Sequence, residues 1–226
     1  MADRPAEPAQ DQHRVWETIA ESFDATRQRP WSVVTEFLAD LPPGQRLLDL
    51  MAGNGRHAAL AKEAGHDAWW CDWSRPAARL AAGHLVGPVV VGDATALPFA
   101  GASFDACIYI AGLHGIPAPE GRVASLAELR RVLSPGGRAL VTVWAREAPR
   151  FAEEGPPGEP FDLVVPWRRD GHEEQRTYHL YTEAALRADL EAAGLLVERL
   201  WLAALGGKAG DNWCAIAVAP PSTPLA

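Results

Sequence analysis

The stretch LLDLMAGNGRH (47–57) runs from an apolar segment through an acid into a glycine-containing turn. Gly53 and Gly55 let the backbone pass close to a ligand where a side chain would collide. The turn joins a predicted strand to a predicted helix, whose first amide groups are free to bind a ligand in the same crevice. The pattern therefore predicts either a site for a nucleotide-like cofactor or a purely structural strand-to-helix connection.

Two further acids follow predicted strands at intervals that favour the cofactor. Asp72 lies 23 residues after Asp49, at the end of WWCD, where its carboxylate can accept hydrogen bonds from a ribose diol. Asp93 follows VVVG and can accept a hydrogen bond from the exocyclic amine of an adenine. Trp73 either packs on that adenine or belongs to the edge of the core. Together, the three acids would line one edge of a sheet.

The type of cofactor follows from the residues around the turn. The sequence AGNGRH differs from the G-x-G-x-x-G/A turn that usually binds the pyrophosphate of a dinucleotide. An acid directly before the turn, Asp49, suits a cationic, amine-bearing ligand better than it suits a phosphate. S-adenosylmethionine carries such an amine and no phosphate, and it is the cofactor that we predict.

The elements that must position these residues alternate between strands and helices. Apolar runs predict strands at 46–51, 67–71, 88–91, 104–110 and 138–144, separated by helices at 56–64, 75–82 and 123–133. An amphipathic helix precedes them at 15–25, and SPGG (134–137) predicts a helix stop followed by a turn. Such alternation predicts βαβ units and a parallel sheet with helices on both faces.

After Trp144 the pattern changes. Residues 146–181 contain a segment rich in proline, glycine and charge, then an excursion that is either hairpin-like or irregular, and we predict an insertion there. A helix at 183–193 precedes two final strands at 195–205 and 212–219, joined by the hairpin signal GGKAGD. The predicted fold is α/β and Rossmann-like, with a mostly parallel seven-stranded sheet and a C-terminal antiparallel hairpin. It forms one domain over 15–219, with flexible ends at 1–14 and 220–226.

Composition limits the classes of function. The 226 residues suffice for one sizeable domain, and the net charge of −8 allows a basic face for nucleic acid only locally. No apolar run approaches the about 18 residues of a membrane span, and the polar N-terminus has no apolar core of a signal peptide. The three cysteines form no CxxC pair and the seven histidines lack ligand spacing. We expect a cytoplasmic protein without a metal site or membrane association.

Four stretches resemble the successive motifs of class I S-adenosylmethionine-dependent methyltransferases, and the match covers about residues 45–145. They are LLDLMAGNGRH, WWCDWS, VVGDATALPFAGASFDACIYIAGLHGI and LAELRRVLSPGGRALVTVW. The resemblance implies cofactor binding by Asp49, Ala52, Gly53, Asn54, Gly55, Asp72, Trp73, Asp93, Ala94 and Ile110. Because the family often has Gly-Cys or Gly-Ser where this chain has Met51-Ala52, a slightly different turn is expected there.

The flanking segments narrow the resemblance to tRNA methyltransferases that act on the wobble uridine, over about residues 15–218. The stretches are VWETIAESFDATRQRPW, DLVVPWRR, RTYHLYTEAALRADLEAAGL and DNWCAIAV. In that family carboxymethyluridine is esterified to methoxycarbonylmethyluridine. The resemblance implies tRNA as the substrate and, as in eukaryotic and archaeal members, a small zinc-binding activator protein as a partner. Members often have I-H-H near His114, where this chain has His114-Gly115.

If the methyl acceptor is a carboxylate, methyl transfer needs fewer kinds of catalytic residue. Its pKa near ~4 makes it a nucleophile at neutral pH, so positioning and partial charge neutralisation suffice without a general base. Arg27, His114 and Arg122 are the candidate catalytic residues, since a guanidinium pairs bidentately with a carboxylate. Each also has a structural interpretation: a helix cap for Arg27, a strand-end residue for His114 and a solvated charge for Arg122.

Other side chains are candidates for contact with the substrate. Trp31 and Trp144 could stack an extruded base, and Tyr178 and Asn212 could also face the acceptor. Trp144 could equally belong to the core. The basic residues of the insertion are expected to form a substrate-facing flap; they are Arg146, Arg150, Arg168, Arg169 and Arg176.

Two other functions stay open at this point. The first keeps the enzyme class but changes the acceptor to a small phenol, amine or carboxylic acid, which predicts an enclosed apolar pocket over the sheet edge. The second is a cofactor-binding interaction subunit without catalysis, which Met51 favours and the intact acids and glycines disfavour.

Overall fold

The computed structural model of the chain describes residues 11–84, 87–205 and 210–222. The α-helices in these ranges are α1 (Gln12–Asp24), α2 (Ser32–Ala39), α3 (Arg56–Glu63), α4 (Arg75–His84), α5 (Pro119–Val132) and α6 (Glu183–Ala192). The strands are β1 (Arg46–Leu50), β2 (Asp67–Asp72), β3 (Val89–Val91), β4 (Phe104–Ile110), β5 (Leu133–Trp144), β6 (Phe161–Arg169), β7 (His172–Leu180), β8 (Leu196–Ala203) and β9 (Asn212–Val218).

Seven of these strands form one sheet in the order β3-β2-β1-β4-β5-β9-β8. The first five are parallel, whereas β9 runs antiparallel to both β5 and β8. This confirms the Rossmann-like fold and its C-terminal antiparallel hairpin, although part of the connection GGKAGD lies outside the described residues. The strand order reverses between β1 and β4, and the carboxyl ends of parallel strands open a ligand crevice at such a switch point.

Apolar side chains of the central strands alternate between two core layers, which confirms helices on both faces of the sheet. On β4, Cys107 and Tyr109 belong to the layer that includes leucines of α5 and α6. Ala106 and Ile108 belong to the opposite layer, which includes apolar residues of α2, α3 and α4. A near-continuous apolar strand such as FDACIYI is therefore explained by burial on both sides.

The structure differs from the sequence prediction at several boundaries. Helix α2 was not predicted, and α5 begins at Pro119 rather than at residue 123, because proline fits the first turn of a helix. SPGG does stop the helix, but β5 already begins at Leu133, and the two glycines lie within an irregularity of the β4–β5 pairing. Helix α1 begins at Gln12, so residues 12–14 are helical; residues 1–10 and 223–226 lie outside the described residues.

The insertion contains a regular hairpin of β6 and β7, paired antiparallel over nine residues each. Its two turn residues, Asp170 and Gly171, both have positive φ, at 52° and 80°. A two-residue turn with φ > 0 at both positions matches the right-handed twist of the strands it connects, and Asp-Gly favours it. The interpretation as a hairpin-like excursion is therefore the correct one for residues 161–180.

This hairpin packs against α1, and together we call them the roof. The side chain of Gln12 donates to the carbonyl of Gln175 and accepts from the amide of Thr177. Further along α1, the Trp167 indole donates to Ser22 Oγ over 3.0 Å. Because α1 and β7 are far apart in sequence but bonded side by side, the roof is a fixed layer over the carboxyl edge of the sheet.

The turn after β1 gives the first testable prediction. Gly55 has φ +79°, and a Cβ there would lie 3.2 Å from Trp70 Cδ1 and 3.3 Å from Ala81 Cβ. Gly55→Ala should lower the free energy of unfolding by about 2–3 kcal/mol, from backbone strain plus crowding. Gly44→Ala is the control, because Gly44 has φ +73° with nothing within 4 Å, and it should cost only about 1 kcal/mol. Equal losses in urea unfolding would contradict the crowding.

Candidate active site

The site lies at the carboxyl edge of the sheet, where a cavity opens between the turn after β1, the end of β4 and the roof. We call it the main cavity. Asp49 and Asp72, from neighbouring parallel strands, both line it, as do Ala52, Gly53 and Asn54 of the turn and Ile110 at the end of β4. The structure therefore brings together most of the residues predicted to bind the cofactor.

Asp49 is the most buried acid of this site, with only 1% of its surface exposed. Its Oδ2 accepts the amide of Ala58 in α3 over 2.9 Å, whereas Oδ1 has no hydrogen-bond partner among the described residues. Burial raises the pKa of Asp49 well above its usual value, opposed by the Ala58 amide and by the charge of Arg56. A buried carboxylate oxygen without a donor, beside a cavity, suits a cationic amine.

Asp72 connects the end of β2 to the turn. Its Oδ2 accepts the amide of Gly53 over 2.9 Å, and its Oδ1 accepts the amide of Ser74 over 3.0 Å. Burial raises the pKa of Asp72, opposed by these backbone donors. Each carboxylate oxygen retains acceptor capacity, so Asp72 can hold the turn and also accept from the hydroxyl groups of a ribose.

The turn itself has an unusual residue in a left-handed conformation. Met51 has φ 51°, in the region that glycine adopts without strain, and the Tyr109 hydroxyl donates to its Sδ over 3.2 Å. A Cβ on Gly112 would lie 2.7 Å from Met51 Cβ, so the methionine leaves room there for glycine only. At Gly53, by contrast, a Cβ would meet nothing within 4 Å. The backbone at Gly53 is thus open to a ligand.

Asp93 and Ala94 line a smaller neighbouring cavity, which we call the side cavity. Met51 and Trp73 line both cavities, so the side cavity adjoins the main one at these two side chains. The Asp93 carboxylate accepts the amide and the hydroxyl of Thr95, each over 2.8 Å. This arrangement suits a flat ring beside Trp73, with the acid at its rim.

Aromatic side chains form another part of the main cavity wall. Trp31, Trp144 and Tyr178, all predicted as substrate contacts, line it together with the predicted catalytic residues Arg27 and His114. The Trp144 ring stacks on His114 at 5.2 Å and lies 4.3 Å from Tyr178. These residues come from four separate segments, so the predicted set is assembled by the fold and not by a local motif.

His114 is buried and held in one tautomer. Its Nδ1 accepts the amide of Trp144 over 3.2 Å, which leaves the proton on Nε2. Burial lowers the pKa of His114 to about 3, with further lowering by the charges of Arg150 and His179. The imidazole is therefore neutral at physiological pH, and it can donate one hydrogen bond but cannot supply a positive charge.

Three residues predicted for the site, Arg122, Asn212 and Gly55, do not line either cavity. Arg122 is buried, and its guanidinium donates to the carbonyls of Ile116 and Pro117, so it closes the loop before α5. Asn212 is 1% exposed and donates to Asp211 Oδ1. These contacts correct the predicted place of Arg122 and Asn212 in the site. Gly55 shapes the turn without lining the cavity.

Several lining residues were not predicted. They are Trp16, Phe23, Asp24, Met51, Arg56, His57 and Ser74. Trp16 and Phe23 lie on the apolar stripe of α1, which is also the pattern of simple core packing. Arg56 and His57 directly follow the glycine turn, and that position at the start of a helix was a usable signal.

The arginines of the insertion do not form one flap. Arg146 is buried and donates to the carbonyls of Phe151 and Pro156. Arg168 and Arg169 lie at the exposed tip of the hairpin, paired with neighbouring acids. Arg150 stacks on the Trp144 ring at 4.4 Å, and Arg176 lies within the roof. Only the last two approach the main cavity.

Within the described ranges, no three His, Cys, Asp or Glu side chains are grouped so as to hold a metal ion. In the same part of the chain, no helix combines the length and apolar character needed to cross a membrane.

Comparison with known proteins identifies the class. Residues 48–141 match the methyltransferase domain family. In fold, the chain resembles a Burkholderia thailandensis 1,6-didemethyltoxoflavin-N1-methyltransferase solved with S-adenosylhomocysteine (TM-score 0.67, 21% identity, 97% and 93% of the two chains covered). It also resembles a methyltransferase of Haloferax volcanii solved with the Trm112 activator (TM-score 0.68, 17% identity, 96% and 100% covered). Together with the acid-flanked turn, these matches define a class I S-adenosylmethionine-dependent methyltransferase.

The family within this class follows from closer relatives. The chain is 30% identical over 230 residues to the Schizosaccharomyces pombe tRNA (carboxymethyluridine(34)-5-O)-methyltransferase, covering 91% of this chain and 94% of that protein. The chain therefore belongs to the tRNA (carboxymethyluridine) methyltransferase family. A Macaca fascicularis enzyme of the same name is 41% identical over 135 residues, 60% of this chain. The chain spans about a fifth of the length of the vertebrate relatives that it matches.

The residues of the site fit the cofactor of this class. S-adenosylmethionine carries an amine for the unpaired Asp49 Oδ1, a ribose for Asp72 and an adenine for the side cavity beside Trp73 and Asp93. It carries no phosphate, and the crevice presents acids rather than bases at these strand ends.

Asp49→Asn should weaken cofactor binding without lowering the stability of the protein at pH ~8. A folded-state pKa above the unfolded value means that the carboxylate is unfavourable when ionised, so wild-type stability should fall as pH rises through that window. The variant should lose this pH dependence and match or exceed wild type in free energy of unfolding at pH ~8. Its affinity for S-adenosylmethionine should fall at least about tenfold in calorimetry, because a charge-assisted hydrogen bond is lost.

Asp105→Asn is the control for that variant. Asp105 accepts the amide of Arg46 at the opposite edge of the sheet, so its substitution should leave cofactor affinity unchanged. An Asp49→Asn protein that binds the cofactor as tightly as wild type would contradict the assignment of Asp49.

Proposed function

We propose that this protein methylates the carboxymethyl group of a modified wobble uridine in tRNA and so forms a methyl ester. The observation that carries the proposal is a cationic and aromatic end of the main cavity, beside the cofactor turn, in an otherwise acidic chain. The family supports the same acceptor, because the fission yeast relative is named for carboxymethyluridine.

Positive charge gathers at this end of the cavity. Arg27 and Arg56 both line it, and Arg150 lies against its wall at Trp144. Burial lowers the pKa of Arg27 and lowers that of Arg56 to about 10, and repulsion from neighbouring guanidiniums adds to both shifts. All remain protonated at neutral pH. Asp24, which also lines the cavity, accepts a hydrogen bond from Asn54, and an anionic acceptor would improve the charge balance of the gathered arginines.

Such an acceptor simplifies what the protein has to do. The bound cofactor supplies a methyl group on a positively charged sulfur, and a carboxylate needs no base to attack it. A neutral His114 is consistent with this role, because it can donate from Nε2 to a carboxylate oxygen without removing a proton. The work of the protein is then to bind both reactants in line and to exclude water.

The aromatic side chains suit a base taken out of the anticodon loop. Trp144, Tyr178 and Trp31 line the cavity, and an unstacked pyrimidine can stack on such rings.

A small-molecule acceptor is the second candidate. Trp16 and Phe23 of the roof line the main cavity with apolar side chains, and a small-molecule acceptor was expected to need an apolar pocket of this kind. The Burkholderia neighbour was solved with a small-molecule acceptor. This version differs from the first in predicting methyl transfer without RNA.

Mass spectrometry of tRNA nucleosides tests the acceptor. Cells that lack the gene should lose the methyl ester and accumulate the free acid. Plasmid-borne wild type should restore the ester, and Arg27→Met should not, because it removes the charge that positions the carboxylate. Arg187→Met is the matched control, since Arg187 lies on the exposed face of α6, paired with Glu183. Unchanged nucleosides in the deletion strain would eliminate the tRNA acceptor.

We also propose that a Trm112-type activator binds the β3 edge of the sheet. The Haloferax neighbour was solved with such an activator. β3 and β8 are the two edge strands of the sheet, but β8 carries Glu198 and Arg199, and charged residues protect an edge strand from pairing. The β3 edge has three valines, of which Val91 is 42% exposed.

All three cysteines are free and buried, which agrees with the proposed cytoplasmic location.

Val91→Asp should reduce co-purification with a Trm112-type activator at least about tenfold, because it places a charge in an apolar contact. Leu202→Asp on β8 is the control, with Leu202 40% exposed at the other edge, and it should have no effect. Both variants should keep the wild-type melting temperature. Loss of the complex in Leu202→Asp alone would move the contact to β8.

A further inference from the structure

Three arginines of the described chain are less than one-tenth exposed, and they are not alike. They are Arg122, Arg146 and Arg176. Arg122 and Arg146 each donate to two backbone carbonyls, so their charge faces partial negative charges. The guanidinium of Arg176 makes one hydrogen bond among the described residues, from NH1 to the Tyr178 hydroxyl over 3.0 Å. Its Nε has no partner among the described residues, as is also the case for Nε of Arg122.

No carboxylate of the described residues forms an ion pair with Arg176. The acid two residues away on the same strand, Glu174, is paired with Arg14 of α1 instead. The flat faces of Arg176 lie over aromatic rings, at 4.9 Å from Trp167 and 5.4 Å from Tyr178. Ring contacts offset only part of the cost of burying a charge, and a counter-charge usually supplies the rest.

The hydrogen bond of Arg176 connects it to Tyr178, a residue that lines the main cavity. The Tyr178 oxygen accepts from Arg176, and no acceptor for its own proton is found among the described residues. Burial raises the pKa of Tyr178 to about 12, opposed by Arg176, Arg27 and Arg150, so the hydroxyl stays protonated at neutral pH. Tyr178 lines the cavity, as does Arg27. Because the guanidinium of Arg176 donates to the Tyr178 hydroxyl, the hydroxyl becomes a stronger hydrogen-bond donor.

We propose that Arg176 acts through the Tyr178 hydroxyl, together with Arg27, to recognise the negative charge of the acceptor and so to select a free carboxylic acid over its neutral amide. Arg176 is then a positioning residue, held without a counter-charge of its own because the substrate supplies it. The inference rests on the proposed function, since it names how the same site chooses its acceptor.

The test compares two anticodon stem-loop RNAs, one with 5-carboxymethyluridine and one with the isosteric 5-carbamoylmethyluridine, each titrated into protein with saturating S-adenosylhomocysteine. Wild type should bind the acid at least about tenfold more tightly than the amide. Arg176→Met and Tyr178→Phe should each reduce this ratio severalfold. The double variant should reduce it no further than either single variant, because the two residues act in series.

Thermal unfolding of the protein without RNA provides a readout that separates recognition from structure. Arg176→Met should melt at the wild-type temperature or above, because it removes an unpaired buried charge while it keeps the length of the side chain. Arg146→Met is the matched control. It should melt lower, since two carbonyls lose their donor, and should keep the wild-type ratio of acid to amide affinity.

The outcomes distinguish this inference from the proposed function. A wild-type protein that esterifies the acid RNA, with Arg176→Met melting lower and keeping the full affinity ratio, would overturn the inference alone and make Arg176 a structural residue. A wild-type protein that neither esterifies the acid RNA nor distinguishes it from the amide would overturn the proposed function, and the inference with it.

Discussion

Two buried carboxylates hold the backbone from which the site is built. Asp49 accepts an amide of α3, and Asp72 accepts the amide of Gly53, so the end of each strand is bonded to the turn or helix beside it. Burial makes both ions unfavourable in the absence of a ligand, and the backbone donors offset part of that cost. The other contacts of the cofactor site, from the open backbone at Gly53 to the side cavity at Asp93, depend on this arrangement.

Most of the sheet was predictable because its strands are apolar on both faces and end in acids. A run such as FDACIYI indicates a buried parallel strand from composition alone, and the carboxyl ends of parallel strands must meet at one edge. The position of Asp49, Asp72 and Asp93 at that edge could therefore be predicted from the sequence. Helix α2 was missed because SVVTEFLA is short and its β-branched residues favour a strand.

The acceptor side was less predictable because long-range contacts decide it. Arg122 and Arg176 look alike in sequence, yet the first closes a loop through two carbonyls and the second lies against Trp167 without a counter-charge. Trp16 lies beside the cavity because the β6–β7 hairpin packs on α1. Gln12 and Gln175, which join these two elements by a hydrogen bond, are more than 150 residues apart in the sequence. Spacing along the chain carries no information about such a pairing, so the lining of the cavity emerges only from the fold.

The gathered guanidiniums around Tyr178 have a consequence for turnover. On the proposed function, a carboxylate enters the site and a neutral ester leaves it. Arg27 and its neighbours would then regain their mutual repulsion after transfer, which would favour release of the product. A site of this kind would bind a wobble position that is already esterified more weakly than the free acid.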